Sequence, residues 1–371
     1  MNLILFFTYD TSLQDWKKSG LFEREVKLYK NIISTTNSKI YFITYGDESD
    51  LIYSNEIPEI EIIPIYKYIK KNKNSLIRMF NSIFIGYKLK KIINLKNSII
   101  KTNQLWGSWV AIIYKLMTKK NKLIIRTGYD LLTFKQYQNK NFFKILLYFF
   151  LTYISIILCD CYTVTSRIDE IKLKKFFLVN KKKILFLPNW VEVKNHKNDN
   201  GNDNFVSVGR LEEQKNYEFL IKEFSNLDIG VDLIGEGSLR NHLKDKSREC
   251  NSKINFLGKF SNKEVLEKIQ EYKYFILTSK YEGNPKTLLE AMSLGVIVIA
   301  PNIPNISEII KHNENGILFN LKKNSLRNLV KILDTFDLSK IRKNAYGYIK
   351  TNHSLDYLTK KEISIYKNLL R

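Results

Sequence analysis

Short apolar runs alternate with amphipathic stretches along the whole chain. In the first half, the runs Leu3–Phe7, Ile40–Thr44, Glu61–Ile65, Ser98–Lys101, Lys122–Ile125, Cys161–Val164 and Ile184–Leu187 have the length and β-branched content of strands. Helical spacing marks Leu21–Ile33, Leu76–Ile92 and Trp106–Met117 between them. The second half repeats the rhythm, with strands predicted at Phe205–Val208, Val231–Ile234, Ile254–Leu257, Tyr274–Leu277, Val296–Ala300 and Ile317–Phe319. Such alternation predicts an α/β protein with parallel sheets built from βαβ units. Residues 191–204, VEVKNHKNDNGNDN, are polar and nearly free of apolar side chains after Val193, and read as a linker. The division is then a first domain over 1–190, a second over 205–352, and a terminal segment 353–371 whose Leu355–Leu370 is a further helix with no strand after it.

A length of 371 residues suits two such domains, each able to bury a core. The hydrophobic fraction of 44% and charged fraction of 26% exclude a disordered chain. Three cysteines, Cys159, Cys161 and Cys250, give neither a disulfide framework nor a zinc set, and fit a reducing cytoplasm. The opening MNLILFFTYD has no charged leader and reads as a first strand, not a signal peptide.

Charge changes the picture more. The net charge is +23, from 60 Lys and Arg against 37 Asp and Glu. A chain crowded with Lys, Asn and Ile has the composition of an AT-rich coding bias, which adds lysine without selection for a partner. The distribution argues for more than bias. Between Ile62 and Cys159 there are 18 Lys and Arg and one acid, Asp130. A face of this kind suits a polyanion or an anionic membrane surface. Nucleic acid is the weaker choice, because no known motif is present and aromatic residues do not interleave the basic window as a stacking surface needs. Residues 142–159 are strongly apolar, but Lys144 interrupts them and leaves 15 residues from Ile145 to Cys159. That is short of the roughly 20 a spanning helix needs, so a buried helix or one lying on a bilayer surface is expected.

The chemistry concentrates in the second half. In YEGNPKTLLEAMSLG, Asn284 is placed to cap a helix, Pro285 suits its first position, and Gly295 ends it. The free N–H groups of Lys286, Thr287 and Leu288 then make an anion site. Glu282 precedes the helix start, and Glu290 lies inside the helix but leans back toward it. A carboxylate there suits sugar hydroxyls. The competing reading is a surface pair between Lys286 and Glu290, in its weaker orientation. In FVSVGRLEEQKN, Gly209 turns the chain at a strand end, Arg210 and Lys215 follow, and Asn216 reads as a helix cap. Two cations beside a helix start would neutralise a diphosphate leaving group, most strongly as its charge develops. An Arg and a Lys at this spacing are, alone, ordinary surface charges.

Taken together, VGRLEEQKN, LIGEGSLRNHL, INFLGKF, SKYEGNPKTLLEAMSLGVIVIA and SEIIKHNENGILF resemble the GT4 retaining glycosyltransferases of the GT-B fold over about residues 184–320. The resemblance implies two Rossmann-like doubly wound domains facing a cleft, with the C-terminal helix crossing back to the first. Glu282 and Glu290 match the family's Glu-x7-Glu motif. By that match Arg210 and Lys215 hold the diphosphate, and Glu282 faces the donor sugar with Gly283 and Asn284 beside it. Pro285, Lys286 and Thr287 form the helix start, and Glu290 binds the ribose. Gly209, Gly235 and Gly237 match the glycine turns, and Gly258, Lys259 and Phe260 lie near the base. Relatives often carry an aromatic where Asn284 stands, which implies a different sugar preference. In the first half, PNWV at Pro188–Val191 resembles the domain junction, and TYDTSLQDWKKSG resembles a loop bringing Ser19 and Gly20 toward the donor. The family's N-terminal histidine has no counterpart, since His196, His242, His312 and His353 all lie later. Asp130 in IIRTGYD is the substitute candidate for a catalytic contact, with helix capping near Leu131 the equal alternative.

The sequence reading is therefore a glycosyltransferase that moves a sugar from a UDP- or GDP-sugar with retention, without a metal or other cofactor, since no Asp-x-Asp pair occurs. The expected acceptor is a glycan, polyprenyl-diphosphate-linked, in bacterial surface polysaccharide assembly. The expected location is the inner face of the cell membrane, held by Lys67, Lys70, Lys71, Lys73, Lys88, Lys90 and Lys91. A nucleotide-sugar epimerase or another GT-B enzyme is the alternative, and a nucleic-acid binder a remote one.

Overall fold

The structure, a computed structural model, describes residues 1–93, 95–118, 120–128, 142–177, 181–193 and 201–371. Asp130 and the middle of the expected linker, residues 194–200, lie outside the described residues. The chain divides into two compact units, one of residues 1–187 with 359–371, the other of residues 188–358.

Unit 1 carries a parallel sheet of seven strands: β1 (Asn2–Phe6), β2 (Lys39–Thr44), β3 (Ile60–Pro64), β4 (Ser98–Thr102), β5 (Lys122–Thr127), β6 (Cys161–Val164) and β7 (Ile184–Phe186). Their order is β3-β2-β1-β4-β5-β6-β7. Every strand of this set falls where the apolar runs predicted one. Both sheet faces are covered by helices, so the strands read as continuous apolar runs and not as alternation; Leu3 to Phe6 and Ser98 to Thr102 are buried throughout. The loop after β1 is pinned from the next crossover. Buried Asp50 accepts from Thr44 Oγ1 (2.6 Å) and from the N–H groups of Leu13 (3.1 Å) and Gln14 (3.2 Å) at the start of helix Leu13–Ser19.

The terminal helix Leu355–Leu370 belongs to unit 1 from Thr359 onward. Glu362 is buried and receives hydrogen bonds from Lys101 Nζ on β4 and from Tyr366 Oη. The Lys101 ammonium also stands 5.3 Å from the centre of the Tyr29 ring. Lys101 and Arg126, counted by sequence in the basic window, are therefore interior residues and no part of a basic face. Parallel-strand geometry turns them inward, and burial of a charge requires a partner.

Unit 2 carries β8 (Asn202–Val208), β9 (Val231–Ile234), β10 (Ile254–Gly258), β11 (Tyr272–Ile276), β12 (Ile297–Pro301) and β13 (Ile317–Phe319). They form a parallel sheet in the order β10-β9-β8-β11-β12-β13. Successive residues of a strand point to opposite faces, so Phe205, Tyr274 and Ile297 enter one core while Val206, Phe275 and Val298 enter the other. The register Phe205↔Tyr274 brings those two rings into a stack with centroids 5.0 Å apart. The order reverses between β8 and β11, which leaves a crevice beyond their carboxyl ends.

Candidate functional site

The two segments singled out by sequence leave neighbouring strands at this reversal. Gly209, Arg210 and Lys215 follow β8; Thr278 to Glu290 follow β11. Backbone and side-chain bonds knit the loops together. Lys280 N–H donates to the Gln214 carbonyl (2.9 Å), Gln214 Nε2 to the Tyr281 carbonyl (3.0 Å), and Thr278 Oγ1 to the Lys215 carbonyl (2.9 Å). Gln214, Thr278 and Ser279 carried no signal by type or spacing. Only strand order makes them neighbours.

Within this frame Lys215 Nζ donates to Glu282 Oε1 (2.6 Å), and Ser279 Oγ donates to the same oxygen (2.6 Å). The Lys215 and Glu282 side chains are 14% and 7% exposed, so the pair is largely withdrawn from water. Arg210 is exposed at the end of β8; its carbonyl accepts from the Glu212 N–H (2.8 Å), while its side chain makes no hydrogen bond or ion pair among the described residues. The site thus holds one cation engaged with a carboxylate and one presented outward.

The helix of the motif runs Lys286–Ser293. Pro285, not Asn284, is its N-cap, and no side chain caps its first turn. The expected cap is corrected for a physical reason: the Asn284 amide is committed elsewhere. Its Oδ1 accepts from the Asn189 N–H (2.9 Å), and its backbone carbonyl accepts from Asn189 Nδ2 (2.7 Å). The Asn189 carbonyl bonds His353 Nδ1 (2.9 Å), and Val191 bridges to Ser354. Asn284 is buried and holds the PNWV segment, which itself bonds the stretch before the last helix; a sugar-facing role has to share Asn284 with that task. An uncapped first turn leaves its N–H groups available to an anion. Neither Lys286 nor Glu290 stands as a plain solvated surface charge. The Lys286 ammonium lies 4.9 Å from the Trp190 ring centre, and Glu290 is buried.

Glu290 Oε1 is 3.5 Å from Asn262 Nδ2, on the helix Asn262–Ile269 that follows Gly258, Lys259 and Phe260. The residue expected at the ribose therefore meets the helix that follows the segment expected at the base. Phe260 packs on the core of this side, while Lys259 is exposed. Gly235 has φ +143°, and a Cβ there would lie 2.0 Å from the Gly209 carbonyl oxygen. Gly237 similarly crowds the Leu211 carbonyl, at 2.4 Å. These glycines let the loops after β8 and β9 touch backbone to backbone. Asn216 occupies the N-cap of helix Tyr217–Glu223 in a left-handed conformation, without the side-chain bond expected of it. Gly20 belongs to unit 1, where its left-handed φ of 72° closes helix Leu13–Ser19. Among the described residues no group of three or more His, Cys, Asp and Glu is placed to hold a metal ion.

A parallel sheet with carboxylates, cations and an open helix start at its reversal has the layout of an open α/β ligand site. Residues 188–347 match the family model of glycosyl transferases group 1. An uncharacterised glycosyltransferase of Haemophilus influenzae is 26% identical over 190 residues, 49% of this chain and 53% of that protein, so the chain spans about half the length of that relative. The N-acetylgalactosamine-N,N'-diacetylbacillosaminyl-diphospho-undecaprenol 4-alpha-N-acetylgalactosaminyltransferase of Campylobacter jejuni is 25% identical over 342 residues, 88% of this chain and 90% of that one. Anabaena HepE, solved in complex with UDP, superposes with a TM-score of 0.76 at 13% identity, covering 99% of this chain and 100% of that one. That likeness establishes the fold, which is GT-B.

Proposed function

We propose that the chain transfers a sugar, with retention at the anomeric carbon, from a nucleoside-diphosphate donor to a lipid-linked glycan. The observation that carries this reading is the convergence of Arg210, Lys215, Glu282 and the open start of helix Lys286–Ser293 at the β8/β11 reversal. Arg210, Lys215 and the helix N–H groups take the diphosphate, and their attraction grows as the glycosidic bond breaks and charge passes to the leaving group. Glu282 turns to the sugar, and Glu290 to the ribose. The positive charge a metal would supply comes from these groups, so transfer continues in the presence of a chelator. On sequence grounds alone, Asp130 is the acid assigned to the reacting sugar. GT4 is the proposed subfamily.

The acceptor assignment draws on the Campylobacter relative, whose name describes transfer onto a diphospho-undecaprenol-linked glycan, and on the lysines of unit 1, which suit an anionic leaflet. Surface polysaccharide assembly at the inner membrane face is the corresponding role. The test is a thermal-shift screen of the full chain against UDP, GDP, ADP and their sugars, since a ligand of the native state raises its melting temperature. Stabilisation by one nucleotide class supports the reading and names the base. No response to any of them sinks it. Release of a free epimer from the donor, without an acceptor, would favour the epimerase instead.

A further inference from the structure

We infer that unit 1 inserts side chains into a membrane leaflet, through an apolar face made by three neighbouring helical segments, with helix Phe142–Leu158 lying in the plane of the bilayer. This deepens the membrane reading above, and it needs no bound donor. Helix Ser108–Met117 packs on β4 and β5 and touches both Ile85–Ile92 and Phe142–Leu158. Trp109 Nε1 donates to Ser82 Oγ (2.8 Å), the Trp106 and Tyr148 rings lie 5.5 Å apart, and Ser108 Oγ meets Ser155 Oγ (3.0 Å). The three segments therefore share one side of the sheet.

Most of the exposed large apolar side chains of the described residues lie on Phe142–Leu158 or on residues 75–92, where helix Ser75–Asn81 and the turn Ser82–Phe84 lead directly into Ile85–Ile92. Leu76 (72%), Phe80 (66%) and Phe84 stand out on 75–84, and Leu147, Phe150 and Ile154 on Phe142–Leu158. Residues 188–358, nearly as many, contribute Ile332 and Tyr357. A patch of this kind on one unit marks an interaction surface.

Charge selects the occupant. Lys67, Lys70, Lys71, Lys73, Lys88, Lys90, Lys91 and Lys144 are exposed on or beside the same segments, and no described acid occurs between Ile62 and Cys159. Arg78 pairs with Asp10 (2.7 Å) and Lys67 lies 3.9 Å from Glu48, but the rim keeps a strong excess of cations. An apolar centre with such a rim matches acyl chains beneath anionic headgroups. A second copy of this chain would bring the same charge against itself. Geometry selects the orientation. No described helix is long and apolar enough to cross a membrane. Thr152, Ser155 and Ile156 are buried against the unit, while Leu147, Phe150, Ile154 and Ile157 recur at helical spacing on the outer side. A helix held to the sheet along one stripe can offer a bilayer only the other, so it lies flat. The lysines then set lipid preference, and the apolar stripe supplies most of the affinity.

The experiment is flotation of the full chain with phosphatidylcholine vesicles, with and without phosphatidylglycerol. The unmodified chain is expected to bind the anionic vesicles and to stay largely bound at salt that screens surface charge. Leu147→Ser/Phe150→Ser/Ile154→Ser should lower the partition by about tenfold or more. Lys88→Gln/Lys90→Gln/Lys91→Gln should reduce the preference for phosphatidylglycerol and leave the salt-resistant fraction. Equal binding by the apolar variant, or complete release by salt, overturns the inference. Hydrogen exchange of the unmodified chain gives a readout independent of variant folding. Vesicle-dependent protection of residues 76–92 and 142–158 supports it. Protection there that instead grows with protein concentration without vesicles assigns the face to a dimer and overturns it. A failed nucleotide screen with intact vesicle binding would remove the sugar-transfer reading and leave this one standing.

Discussion

Lys215 and Glu282 follow different strands, 67 residues apart, and meet at 2.6 Å in a shared hydrogen bond. The cation assigned to the diphosphate and the carboxylate assigned to the sugar hold one another before any ligand arrives. A bound diphosphate draws on a lysine already positioned, at the cost of loosening its hold on Glu282.

Replacing Lys215 with Gln removes a charge-assisted contact to the diphosphate. Donor affinity should fall by about 10- to 100-fold, the range for a lost hydrogen bond to a charged group. Calorimetric titration with the nucleotide found in the thermal-shift screen measures it. An unchanged affinity would remove Lys215 from the site.

Arg210→Ala is expected to separate binding from stability. The Arg210 side chain is exposed and unpaired among the described residues, so its loss should change unfolding free energy by no more than about 0.5 kcal/mol. Donor binding should nevertheless weaken by about tenfold or more. Urea unfolding and titration on the same variant check both halves, and a loss confined to stability would contradict the assignment.

Asn284→Ala breaks the side-chain bond to the Asn189 N–H and should cost about 1–3 kcal/mol, the penalty for stranding a donor partly withdrawn from water. Asn189→Ala removes a different bond, from Asn189 Nδ2 to the Asn284 carbonyl, so its cost should persist in the Asn284→Ala background and the two losses should nearly add. An Asn189→Ala that costs nothing in that background, in denaturant unfolding, would contradict two independent bonds.

Gly235→Ala places a Cβ against the Gly209 carbonyl, at a φ that L residues rarely adopt. The expected loss is about 2 kcal/mol or more, accompanied by weaker nucleotide binding, because the loop carrying Arg210 must move. A variant that melts like the parent would show that these loops are looser than described.

Acid should act on the Glu362 cluster. Burial raises the carboxyl's pKa, but the charges of Lys101 and Arg126 outweigh it and hold the group below its ordinary 4.5. A depressed acid gives its stability above the unfolded value and loses it as pH falls from about 4.5 through the folded value. Glu362→Gln leaves Lys101 buried beside a neutral partner and should cost about 3–5 kcal/mol at neutral pH. Its stability should then decline less steeply in acid than that of the parent, as measured by urea unfolding across that range. Parallel declines would place the acid sensitivity elsewhere.

All thirteen strands were legible in the sequence, because a parallel strand covered on both faces must be a continuous apolar run, and such runs are local. Glu282, Glu290, Arg210 and Lys215 were legible too, by type and by spacing from strand ends. Sequence could not show that Asn284 would spend its amide on Asn189, since helix capping and a distant partner compete for the same atoms and only folding brings the rival close. Nor could it separate Lys101 and Arg126, which are interior, from Lys88 and Lys91, which are exposed; strand direction and the returning helix with Glu362 decided that. The sequence determined which elements form and which chemical groups stand at their ends. The tertiary structure decided which ends meet, because strand order sets the neighbours and burial leaves a polar group only the partners within reach.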